Sequence, residues 1–191
     1  MLIYASRLIG TPVLSMQASS RVASIAAPIV DPDSLKIIAF YLSEVGRETN
    51  ILDAKSIREY SNFGMVIDSE DEFVSKNDVI KIEKVLALNF DLINKKVETK
   101  KGTKLGRISD FTVTSDNFSV QQIIVKRPLI KSFLDPELTI PRSEIVEVTD
   151  DKIVVKDEEK TIRARAEKED FIPNFVNPFR KQEPAHAKER S

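Results

Sequence analysis

The 191-residue chain is 41% hydrophobic, and its 29 lysines and arginines nearly cancel its 30 aspartates and glutamates. That composition supports a packed core and excludes a global electrostatic attraction to nucleic acid or anionic lipid, so any charge-based targeting has to be local. The absence of cysteine excludes disulfides, thiolate catalysis and Cys-based zinc sites, and is compatible with a reducing compartment.

The opening stretch, "MLIYASRLIGTPVLSM", has no basic region ahead of a sustained apolar run, and Arg7 and Gly10 interrupt it where a signal-peptide core needs continuity. No segment approaches the roughly 20 apolar residues that span a bilayer, so a soluble, cytoplasmic protein is expected. With five glycines and no Gly-rich phosphate loop, GxSxG elbow or HExxH pair, no catalytic residue, cofactor, metal or small-molecule substrate is expected.

Residues 8 to 42, "LIGTPVLSMQASSRVASIAAPIVDPDSLKIIAFYL", alternate Val- and Ile-rich runs with the turn signal "DPDS". A short apolar strand and a final strand pair follow, in "NILDAKSIREYSNF" and "GMVIDSEDEFV". The acidic run Asp68, Glu70, Asp71 and Glu72 lacks the glycine and the last glutamate of a calcium loop and reads as a solvated turn. In "NDVIKIEKVLALNFDLI", residues 77 to 93, Val79 to Ile82 is assigned to a strand closing the first half, followed by a short turn of helix.

Residues 92 to 125 then repeat residues 8 to 42. Leu8 and Ile9 align with Leu92 and Ile93, Val13 with Val97, Val22 with Leu105, Ile25 with Ile108, Val30 with Val113, and Ile37 with Val120. Random pairs would both be apolar only about one time in six, so the series favours a duplicated small domain. "KLGRISDFTVTSDNFSVQQIIV" is a hairpin turning at "SDN", and the odd spacing from Ile108 to Phe111 predicts a bulge, with Pro28 at the corresponding place in the first copy. The copy ends with "ELTIPRSEIVEV" and "KIVVKD" around a turn at Asp150 and Asp151. Beyond Asp157 a charged linker leads to "FIPNFVNPF" and a polar tail that reads as disordered and carries the single histidine, His186.

The opening Leu92 to Val97, the alternate Gly106, Ile108 and Asp110, the strand Ile123 to Val125, and Pro141, Ser143 and Ile145 ahead of the last strands together resemble the PRC-barrel family. That family is named for the cytoplasmic domain of the photosynthetic reaction centre H subunit and includes the C-terminal domain of the 16S rRNA maturation factor. The resemblance implies a mainly β chain of two tandem small PRC-type barrels joined by a short helical or extended connector. The first, divergent copy spans residues 1–78, the second residues 79–157, and the linker, Phe-containing segment and tail residues 158–191. In the first copy Ala23 stands for the glycine and Ala27 for the aspartate. Physically, Gly106 suits a close backbone approach at a bend, and Asp110 suits acceptance of a turn amide.

Charge is unevenly spread. Residues 92 to 131 carry nine basic and three acidic side chains, whereas residues 43 to 91 carry six basic and eleven acidic ones. Lys95, Lys96, Lys100, Lys101, Lys104 and Arg107 are the candidate partner surface, with Lys95, Lys100 and Lys101 expected to gather at one end of the second barrel. Phe171, Phe175 and Phe179, with Pro173 and Pro178 opposing a continuous helix, form a second candidate that either packs in cis or binds a partner. The resemblance implies a non-enzymatic adaptor docking onto a larger protein or membrane-associated assembly. The alternative is a ribosome-assembly or RNA-metabolism factor. RNA and anionic membrane surfaces remain alternative partners, and homo-oligomerisation stays open.

Overall fold

The computed structural model describes residues 1–46, 49–127 and 137–157. Residues 158–191, which include Phe171, Phe175, Phe179, His186 and the expected disordered tail, lie outside the described residues, as does Lys131.

Two seven-stranded sheets form from the Val- and Ile-rich segments. The first contains β2 (Pro12–Ser15), β3 (Ser20–Asp31), β4 (Lys36–Ser43), β5 (Ile51–Asp53), β6 (Glu59–Ser61), β7 (Gly64–Ile67) and β8 (Phe73–Val74), in the order β6-β7-β2-β3-β4-β5-β8. The second contains β9 (Lys96–Thr99), β10 (Lys104–Thr114), β11 (Val120–Lys126), β12 (Glu137–Pro141), β13 (Ile145–Val148) and β14 (Lys152–Val155). Its order is β13-β14-β9-β10-β11-β12, with β1 (Leu2–Tyr4) added against β10. Within each sheet one pair is parallel, β2 with β7 and β9 with β14. No helix among the described residues is long and apolar enough to cross a membrane.

The sheets share irregularities as well as order. The β3–β4 ladder shifts register between Ile25 and Ala27 and again between Ile29 and Val30. The β10–β11 ladder shifts between Ile108 and Asp110 and between Thr112 and Val113. The second set lies 83 residues after the first at each position. The odd spacing from Ile108 to Phe111 therefore does mark a bulge, which turns a strand's side chains to the other face. Pro28 is paired with Phe40 just beyond the equivalent bulge. Gly106 pairs with Val97 as Ala23 pairs with Val13. Leu8, Val13, Ile25, Val30 and Ile37 are buried, and so are Leu92, Val97, Ile108, Val113 and Val120. Ile9, by contrast, is 56% exposed while Ile93 is half-buried.

Three expectations need correction. The sheets are open in their hydrogen bonding. Between β5 and β6 the chain runs through a 3-10 turn at Ala54–Ser56, and between β12 and β13 through another at Arg142–Glu144, and no ladder joins either pair. Second, residues 1–157 are one compact unit, with a core that mixes residues of both sheets, and the N-terminal strand joins the second sheet although residues 1–78 were expected to serve the first. Third, the expected strand at Val79 to Ile82 is the start of helix α2 (Ile80–Ala87). As a strand, Ile80 and Ile82 would share a face. In the helix Ile82 is 1% exposed and Ile80 69%, because Ile82, Val85 and Leu86 fall at helical spacing and pack with Ile29, Ala39 and Ile51 of the first sheet.

The sheets meet at the tips of their central hairpins. Leu35 and Phe118, 83 residues apart, both have positive φ. The Ile37 amide donates to the Phe118 carbonyl at 3.0 Å, and the Val120 amide donates to the Leu35 carbonyl at 2.9 Å. Phe40 and Phe118 stack edge to face below this bridge, with ring centroids 5.3 Å apart.

Candidate partner surface

Gly106 and Asp110 are structural. Gly106 has φ +151°, and a Cβ there would lie 2.1 Å from the Lys126 carbonyl oxygen, so β10 and β11 can approach at the bend only over a glycine. Asp110 accepts from the Ser6 amide at 3.2 Å, the Ser6 hydroxyl at 2.6 Å and its neighbour Phe111's amide at 2.8 Å. The amide bond gives a first-turn N–H of the short helix α1 (Ala5–Leu8) an acceptor, and the two Ser6 bonds together hold the N-terminal segment on β10. Ala27, at the corresponding position, has no side-chain acceptor to do this.

The expected basic residues do not form one cluster. Lys95 precedes β9 and Lys100 follows it, and a strand rises about 3.3 Å per residue, so they stand at opposite ends and the expected gathering does not occur. The Lys95 ammonium lies 4.4 Å from the Phe90 ring centroid and donates to the Asp150 carbonyl, which ties it to its own segment and to the β13–β14 turn. The Lys101 amide donates to the Asp157 carboxylate at 3.3 Å. Lys104 stands opposite Glu98.

Lys96 and Arg107, however, lie side by side, because directly paired residues on neighbouring strands project from one face. Arg107 pairs with Lys96 on β9 and with Lys126 on β11, and Lys96 pairs in turn with Lys152 on β14. Lys126, Arg107, Lys96 and Lys152 thus form a row across four adjacent strands, with neighbours about 4.8 Å apart along the backbone. Glu137, opposite Lys126, ends it. Lys96, Lys126 and Arg107 are exposed or half-exposed at the surface, and Lys96 and Lys126 hold no ion pair among the described residues. Arg107 donates to the Asn94 carbonyl at 2.8 Å. Lys152 bonds the Glu98 carboxylate at 2.9 Å. That bond, helped by Lys104 and Lys96, holds the Glu98 carboxyl below its ordinary range and raises the Lys152 ammonium above its own.

Lys152 was missed in the sequence, and Lys126 was counted without being singled out. The signal needed is the parallel β9–β14 register, which joins residues 56 positions apart and leaves no local periodicity. The corresponding row of the first sheet is Pro12, Ser24 and Ser43. Arg21, three residues earlier on β3, reaches Ser24 and is paired with Glu44.

No curated protein matches the chain. Residues 88–162 match the protein-family model described as PRC-barrel domain, a span that includes β9 to β14 of the second sheet.

Proposed function

We propose that the chain is a non-enzymatic adaptor of two PRC-barrel modules, with the second module presenting a basic face to a larger protein assembly. The tandem reading is supported by the common strand order, the bulges 83 residues apart and the reciprocal hydrogen bonds between hairpin tips. The lack of cysteine is compatible with a cytoplasmic site of action.

The observation that carries the adaptor reading is the row of cations itself. The same position in the first sheet folds with proline and serines, so the architecture does not require charge there. Four cations in adjacent strands also repel one another, a modest cost that the Lys152–Glu98 and Arg107–Asn94 bonds offset only in part. A polyanionic partner would make such a row favourable.

The test is a pull-down from native lysate with the full chain and with an Arg107→Ser, Lys126→Ser variant, each with and without RNase. The expected result is a protein complex that survives RNase and is lost with the variant. A complex that RNase dissolves would replace this reading with the RNA-metabolism one. Equal recovery with both chains would remove the row from the function altogether.

A further inference from the structure

Resting on the adaptor reading, we infer that the partner element seated on the Lys126–Arg107–Lys96–Lys152 row is an acidic α-helix laid across the strands. The row follows the ladder pairing across the strands and spans about 14 Å over four strands spaced by about 4.8 Å. A helix rises about 5.4 Å per turn, so glutamates placed once per turn along one face meet successive cations within the reach of flexible side chains. An extended strand presents same-side residues at about 6.8 Å and falls out of step by the third cation.

The surroundings of the row select against the other polyanions. Glu98 and Glu137 stand in or beside it, and each would face a phosphate if a nucleic-acid backbone tracked the row. No aromatic side chain lies in it for base stacking. A helix with carboxylates on a single stripe can avoid both glutamates, because its neighbouring faces are free to carry neutral or basic residues. Arg107 at the centre supplies the planar, two-pronged donor that binds a carboxylate best.

The experiment uses the full chain and two synthetic helices of about 18 residues with equal composition. One carries glutamates along a single face, and the other carries them scrambled around the helix. Binding is measured by fluorescence anisotropy across a salt series, beside a single-stranded RNA oligonucleotide and vesicles containing phosphatidylserine. The expected result is that the patterned helix binds more tightly than the scrambled one, and that Lys96→Gln with Arg107→Ser and Lys126→Ser weakens it about tenfold or more. The variants introduce serines found at the same row in the first sheet, and an unchanged melting curve confirms that they fold. Equal binding of the two helices, lost in the variant, would overturn the helix and leave the adaptor standing. Row-dependent binding of RNA or vesicles in preference to either helix would overturn the helix and with it the protein-adaptor reading. No difference between wild type and variant for any probe would overturn both.

Discussion

At the scale of single residues, the two sheets act as controls for each other. Gly106 and Ala23 hold the same place in the ladder, but only Gly106 has positive φ and a carbonyl oxygen 2.1 Å from where a Cβ would stand. Gly106→Ala should therefore destabilise the protein by roughly 2 to 4 kcal/mol in urea unfolding, through backbone strain and a contact that no rotamer relieves. Thr112 is 3% exposed and its hydroxyl has no hydrogen-bond partner among the described residues; 83 residues earlier the first sheet carries Ile29. Thr112→Val keeps the shape and removes a buried polar atom, so it should be neutral or stabilising by up to about 1 kcal/mol. A loss of stability would mean that the hydroxyl has a partner after all. Glu98 gives a pH dependence. Its carboxyl titrates lower in the folded chain than in the unfolded one because Lys152 bonds it, so its contribution is fully present above the unfolded value and fades as pH falls through the folded one. The stability gap between wild type and Glu98→Gln should therefore be open near neutral pH and narrow as the pH falls below the ordinary glutamate range. A gap that widens with acid would reverse the sign.

At the scale of elements, α2 offers a direct choice between the two conformations that its sequence permits. Ile82 is buried against Ile29, Ala39 and Ile51, while Ile80 projects into solvent. Lys81, between them, reaches the Asp31 carboxylate at 3.4 Å and ties the helix to the end of β3. Ile82→Ala should cost about 2 to 4 kcal/mol, and Ile80→Ala should cost almost nothing, since alanine favours a helix at an exposed position. Similar losses at both sites would point to a strand. The hairpin β10–β11 was legible from "SDN" and from the odd spacing of Ile108 and Phe111, because turn chemistry and period-two alternation are local. The helix was misassigned at its first turn because Val79, Ile80 and Ile82 also satisfy a short strand, and only the tertiary partners decide between the two. The basic surface was half legible. Lys96 and Arg107 are close in sequence through the β9–β10 hairpin, whereas Lys152 arrives by a parallel crossover that nothing in the flanking residues announces.

At the scale of the whole molecule, residues 1–157 form one compact unit although the chain contains two sheets of like order. The segment ahead of the first sheet, β1 with α1, docks on β10 of the second, and the helix ahead of the second sheet docks on β3 of the first. This reciprocal exchange, together with the bridge between Leu35 and Val120 and between Ile37 and Phe118, means that neither sheet keeps its full set of contacts if the other unfolds. Phe118 sits at the junction, 4% exposed on the turn of one hairpin and edge to face with Phe40 of the other. Phe118→Ala should cost about 3 to 5 kcal/mol, and the loss should appear in both sheets. In hydrogen–deuterium exchange, amides in β3–β4 and β10–β11 should lose protection together, and thermal unfolding should keep a single transition at a lower temperature. Loss of protection confined to β10–β11, or a melt that splits in two, would show that the sheets fold independently and that the shared core contributes little to joining them.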